Sequence, residues 1–143
     1  MTATIVSAAD AGYFDLLKGL VCSIRDKDEG KYIALSILDV GLDSDHRHWL
    51  ADRGATIVEP GWDFDIPASM NAPAHFRALL ARPFLPHYFP GHDVYLHIDS
   101  DAWVQDWSAI DIYLAAAADG MLAITPQIDR SYNTIYKRPR RYR

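Results

Sequence analysis

The stretch VYLHIDSDAW, residues 94–103, decides how the chain is read. Five residues suited to a buried strand, VYLHI (94–98), run straight into Asp99-Ser100-Asp101. A strand covered on both faces reads as such an uninterrupted run, and acids set against its end need partners, because burial penalises an unpaired charge. Asp-x-Asp alone is weak evidence: 17 aspartates in 143 residues give about two such pairs by chance, and this chain has four. Context separates them. Asp26-Lys27-Asp28 follows a helical pattern in a charged turn, Asp43-Ser44-Asp45 reads as a helix cap, and Asp63-Phe64-Asp65 falls in a loop rich in proline. Only Asp99-Ser100-Asp101 closes an apolar strand.

Outward from that strand the same alternation repeats. TIVSAA (4–9) reads as a strand, and Tyr13, Leu16, Leu17, Leu20, Val21 and Ile24 then recur at helical spacing. YIALSIL (32–38) is a second strand, followed by a short helix that Asp43-Ser44-Asp45 caps and Gly54 ends, and ATIV (55–58) is a third. EPGWDFDIPASMNA (59–72) reads as an irregular loop long enough to suspect function. Pro73 opens a helix carrying Phe76, Leu79 and Leu80 that stops before Pro83, and PFLPHYFPG (83–91) is broken by its prolines. After the strand at 94–98, Ser108 with Asp111 resembles a capping box for a helix reaching Asp119, Gly120 closes it, and MLAIT (121–125) is a fifth strand. The order predicts an α/β fold with a mostly parallel sheet and helices on both faces. In such sheets ligands gather beyond the carboxyl ends of the strands. Asp10, Asp39, Asp99 and Asp101 would share that rim, and four carboxylates together call for a hard divalent cation.

Composition sets the limits. With 50% hydrophobic and 23% charged residues, 143 positions support one packed core and exclude disorder or a coiled coil. The one cysteine, Cys22, excludes an internal disulfide, is expected on the buried face of the first helix, and favours a reducing compartment, the cytoplasm. No apolar run approaches the roughly 20 residues of a membrane span, and MTATIVSAAD lacks the basic-then-apolar plan of an export signal. Six of the 14 basic residues and none of the 19 acids lie in residues 130–143, so the preceding body carries a formal −11. That body argues against nucleic acid as a partner, because phosphate contacts need clustered cations. The chain divides into an α/β domain over 1–129 and a basic tail over 130–143.

The stretch HFRALLARPFLPHYFPGHDVYLHIDSDAWVQDW (75–107) resembles glycosyltransferase family 8, the glycogenin-like enzymes and their bacterial galactosyl- and glucosyltransferase relatives. Phe76 with Arg77, then Pro83 to Pro90, then Val94 to Asp101 follow the family's order, and IVSAADAGYFDLLKGLVCSI (5–24) resembles its nucleotide-binding start, with Asp10 and Tyr13 in matching places. The resemblance implies the nucleotide-diphospho-sugar transferase (GT-A) fold. It further implies metal-dependent transfer of a hexose from a nucleotide-diphosphate sugar, UDP-linked and with retention, to a carbohydrate or glycolipid acceptor, with Mn²⁺ or Mg²⁺ as cofactor. Asp99 and Asp101 would be metal ligands. Ala8, Asp10, Tyr13, Arg77, Asp99, Ser100 and Asp101 would hold the nucleotide sugar: Tyr13 against the base, Ser100 near the ribose, and Arg77 on the Asp-x-Asp or on sugar and phosphate oxygens. His97, mid-strand, is expected to be a satisfied core histidine. The family's later asparagine segment and its histidine near the carboxyl end find no match here, which implies either a truncated member, its tail the start of a missing acceptor-side segment, or a reduced domain with only nucleotide-binding capacity. Two other classes stay open, a non-catalytic α/β interaction domain docking through the tail and a haloacid-dehalogenase-like phosphatase, whose Asp-x-Asp also follows an apolar strand.

Overall fold

Four of the five expected strands form, and they form one parallel sheet. The computed structural model of the protein describes residues 1–65 and 71–125. Strands β1 (Ala3–Ala9), β2 (Ala34–Asp39), β3 (Ala55–Val58) and β4 (Val94–His97) stand in the order β3-β2-β1-β4. The register pairs Thr4 with Ala34 and Tyr95, and Leu35 with Ala55, all in parallel. The helices are α1 (Phe14–Arg25), α2 (Ser44–Ala51), α3 (Phe76–Ala81), α4 (Leu85–Tyr88) and α5 (Ser108–Ala117).

Both faces of this sheet are buried, and chain handedness says which helix covers which. A crossover between parallel strands is right-handed, so two successive steps in one direction put their helices on one face, and a step back puts its helix on the other. From β1 to β2 to β3 the chain steps outward; from β3 it returns past β2 and β1 to β4. Accordingly Phe14, Leu17, Leu20, Val21 and Ile24 of α1 and Leu50 of α2 pack with Ile5 and Ile37 on one side, joined by Ile110 of α5. Ala78 and Ala81 of α3 and Leu85 of α4 pack with Val6 and Leu38 on the opposite side.

Several local expectations are corrected. MLAIT (121–125) forms no strand: Met121, Leu122 and Ile124 are exposed, and neither sheet edge takes it up. The stretch 83–91 is not merely broken, because Pro83 and Pro86 each fall in the first turn of a helix, the 3-10 turn Arg82–Phe84 and α4, where a missing N–H costs nothing. Ser108 makes no capping bond with its side chain; its N–H donates to Asp106 Oδ1 at 2.8 Å instead. Cys22 is exposed, and its neighbour Ser23 takes the inward position, donating to the Leu20 carbonyl and accepting from Val104 N–H. Tyr13 and Leu16 are also exposed and leave the buried stripe to begin at Phe14. The basic tail 130–143 lies outside the described residues.

The end of β2 is braced by Asp39, which is 3% exposed. Its Oδ1 accepts from Gly41 N–H at 2.9 Å and Leu42 N–H at 2.7 Å, and its Oδ2 from Arg47 Nε at 2.5 Å. Burial alone would raise this carboxyl, but the guanidinium and the two N–H groups outweigh it and hold it below the usual aspartate range. A carboxyl depressed in the fold contributes stability above its unfolded value and loses it as pH falls through the folded one. Asp39→Ala, which orphans two inward N–H groups, is expected to cost about 2–4 kcal/mol in urea unfolding at neutral pH. Asp39→Asn is expected to flatten the acid limb of the stability curve below about pH 4.

Candidate functional site

Beside β1 the strand order reverses, so the chain leaves β1 towards one face and enters β4 from the other. The gap this opens beyond the strand ends is where α/β sheets bind ligands. A cavity of about 300 Å³ occupies it. The end of β1 supplies Ala8, Ala9 and Asp10, with Tyr13 one turn further on; β4 supplies His97 and then Asp99, Ser100 and Asp101. Val40 and a wall of His75, Ala78, Leu79 and Arg82 complete the lining.

Asp10 caps the 3-10 turn Ala11–Tyr13, its Oδ1 accepting from Tyr13 N–H at 3.0 Å. That turn is pinned sideways by Ala11 N–H donating to the Gly41 carbonyl at 2.9 Å, and Gly41 holds a φ of +136°, a left-handed conformation that favours glycine. Tyr13 is thereby held at the rim with half its surface free (54%), an aromatic face open to a planar ligand. Across the cavity Arg82 Nη2 donates to Asp99 Oδ1 at 2.8 Å, in a pair exposed to solvent on both sides. Asp101 makes no hydrogen bond or ion pair with the described residues.

His97 is not the satisfied core residue expected. Its ring is 18% exposed, its Nε2 is buried with no hydrogen-bond partner among the described residues, and its Nδ1 lies 3.8 Å from Asp99 Oδ1, beyond bonding. Burial, aided by the Arg82 charge and opposed only in part by Asp99, pushes the imidazole down to about 4. His97 is therefore neutral at physiological pH, a polar neighbour of the acids and not a charge partner.

Of the residues named from the sequence, Ala8, Asp10, Tyr13, Asp99, Ser100 and Asp101 come together around one cavity. Arg77 does not line it: its Nη1 donates to Glu59 Oε1 at 2.8 Å and to the Pro60 carbonyl at 3.1 Å, holding the loop after β3. Arg82 stands in the position expected of Arg77. Asp39 shares the rim but is consumed by its own loop. Arg82, His75 and the wall they form were missed, and the one available signal was Arg82 falling just before Pro83, where a helix was expected to have ended.

The fold is an all-parallel sheet wrapped by helices, with an acid-lined cavity at its switch point, and it matches the GT-A-like fold of solved glycosyltransferase structures. Solved structures agree. The chain is similar to the galactosyltransferase LgtC in complex with donor and acceptor sugar analogues, and to an active-site mutant of LgtC, each at 25% identity and a TM-score of 0.53 over 75% of this chain. It spans 41% of the length of those structures. The likeness reaches the superfamily and singles out no one family; no family model and no curated relative matches the sequence.

If Arg77 braces the loop and does not reach ligand, Arg77→Ala is expected to cost about 1–2 kcal/mol of stability. Calorimetry with a nucleoside diphosphate would then give an affinity within twofold of the parent chain; a loss beyond tenfold would put Arg77 in the site.

Proposed function

We propose that residues 1–129 form the donor-binding part of a metal-dependent glycosyltransferase that transfers a hexose from a nucleotide-diphosphate sugar, UDP-linked, with retention, to a carbohydrate or glycolipid acceptor. The observation that carries this reading is the convergence of Asp10 and Tyr13 from β1 with Asp99, Ser100 and Asp101 from β4 on one cavity, in a fold similar to a galactosyltransferase.

The donor set suits a divalent ion. Asp99 and Asp101 present hard carboxylate oxygens at an open rim, and a guanidinium already rests on one of them, a cation where a cation is needed. No group of three His, Cys, Asp or Glu side chains among the described residues is arranged to hold a metal unaided. An ion here would be held by one or two carboxylates, with water and substrate phosphates filling the rest, as in Mg²⁺ sites that serve phosphate chemistry. Bound there, Mn²⁺ or Mg²⁺ supplies positive charge to the diphosphate leaving group.

The remaining parts belong to the chain itself. Tyr13 offers its open face to the base, and Asp10, with one oxygen spent on Tyr13 N–H, has the other to accept from base or ribose. Ser100, between the two acids in sequence, lines the same cavity, and its hydroxyl would meet the ribose. The apolar wall of Ala78 and Leu79 excludes water from one side of the cavity. Among the described residues no helix is long and apolar enough to cross a membrane.

The test is a thermal-shift and calorimetry series with Mn²⁺ and UDP. Ligand at 100 times its Kd stabilises by about 2.7 kcal/mol. Asp101→Ala is expected to abolish the Mn²⁺-dependent part while leaving the fold intact. Asp43→Ala, which removes the side chain accepting His46 N–H at the start of α2, is expected to cost about 1 kcal/mol of stability and no ligand affinity. Equal loss of binding in both variants would refute the assignment.

A further inference from the structure

Arg82 pairs with one oxygen of Asp99, a carboxylate read above as a metal ligand, and we propose that it is an exchangeable counter-ion. In this scheme Arg82 holds Asp99 in the ligand-free chain, releases it when metal and diphosphate enter together, and so makes the binding of each depend on the other. The inference rests on the reading of Asp99 and Asp101 as metal ligands and adds a regulating residue to it.

Three observations carry it. The first is the contact itself, Arg82 Nη2 to Asp99 Oδ1 at 2.8 Å, made by a single nitrogen and not by the two-pronged fork of the strongest pairs. The second is exposure. Arg82 and Asp99 keep 42% and 67% of their side-chain surface in solvent, so their pairing belongs to the class that contributes little and is easily exchanged. The third is the setting. Arg82 stands on the wall facing Asp99 and Asp101, and no second acid among the described residues pairs with it. A metal ion arriving alone competes with Arg82 for Asp99 and then sits near its charge. A diphosphate arriving alone meets the carboxylates of Asp10, Asp99 and Asp101 with only Arg82 to offset them. When both arrive, metal takes Asp99, phosphate takes Arg82, and each repulsion is removed.

The signature is a change of opposite sign. In the 143-residue chain, Arg82→Gln is expected to bind Mn²⁺ alone two- to fivefold more tightly, the range an exposed ion pair represents. The same variant is expected to bind UDP in the presence of Mn²⁺ at least fivefold more weakly. By linkage, the factor by which UDP tightens Mn²⁺ binding changes by the same ratio as that by which Mn²⁺ tightens UDP binding, and that ratio is expected to fall in the variant. Arg82→Lys, which keeps the charge and loses the planar fork, should lie between. Mn²⁺ binding is read by electron paramagnetic resonance of the free ion, UDP binding by calorimetry, and folding by circular dichroism. Mn²⁺ affinity that is unchanged or lower in Arg82→Gln overturns the inference, as does equal weakening of both ligands. A parent chain that binds neither Mn²⁺ nor UDP overturns the site reading itself, an outcome visible before any variant is made.

Discussion

Right-handed crossovers on a sheet that reverses direction beside β1 govern everything else in this molecule. The rule sends α1 and α2 to one face and α3 and α4 to the other, so two separate apolar clusters form and β1 is buried between them. It also forces the chain apart beyond the ends of β1 and β4. Nothing fills that gap by default, which is why a cavity stands there and why the residues that follow the two strands, Asp10 and Asp99 to Asp101, face one another.

The loop after β2 keeps the gap in shape. Asp39 accepts from Gly41 and Leu42 and is held by Arg47 of α2, and the Gly41 carbonyl then receives Ala11 N–H from the turn that Asp10 caps. An ideal Cβ on Gly41 would lie 3.4 Å from Asp10 Cβ, an ordinary contact, so it is the backbone angle of +136° that favours glycine where the two turns meet. A buried carboxylate one strand away from the site thus sets where the site's own acid stands. The four acids of the rim differ in their contacts: Asp39 shapes the loop, Asp10 shapes a turn with one oxygen, Asp99 pairs with Arg82 in solvent, and Asp101 lines the cavity.

What the sequence made legible follows from what sequence patterns measure. Four strands were visible because TIVSAA, YIALSIL, ATIV and VYLHI are apolar runs bounded by turn residues, and each finds a neighbour. MLAIT has the same character and fails, since apolarity reports fitness for burial and says nothing of an available partner. Helical spacing gave the buried stripe of α1 but not its edges, so Tyr13 was ambiguous and Cys22 was assigned inward where Ser23 goes. Arg77 and Arg82 show the same limit at the site. Five residues on a helix amount to about 140° of rotation once full turns are removed, so the two arginines face different surroundings. Spacing alone could not say which of them meets the strand end, because the helix passes into a 3-10 turn at Arg82 itself. The orphaned Nε2 of His97 was invisible for a related reason: alternation along β4 put it under α3, but satisfaction depends on atoms that only packing brings near.

Charge balance in the cavity links the fold to its chemistry. Three carboxylates and one guanidinium line it, a formal −2, and the imidazole among them is kept neutral by burial and by Arg82. Such a lining repels a bare diphosphate and attracts a divalent cation, while a cation bridging to phosphates brings the anion in with it. On the proposed reading, selectivity for the paired ligand needs no closed metal cage. It would need two open carboxylates and a weakly held cation able to change partners, held at the switch point by strands whose order the crossover rule fixes.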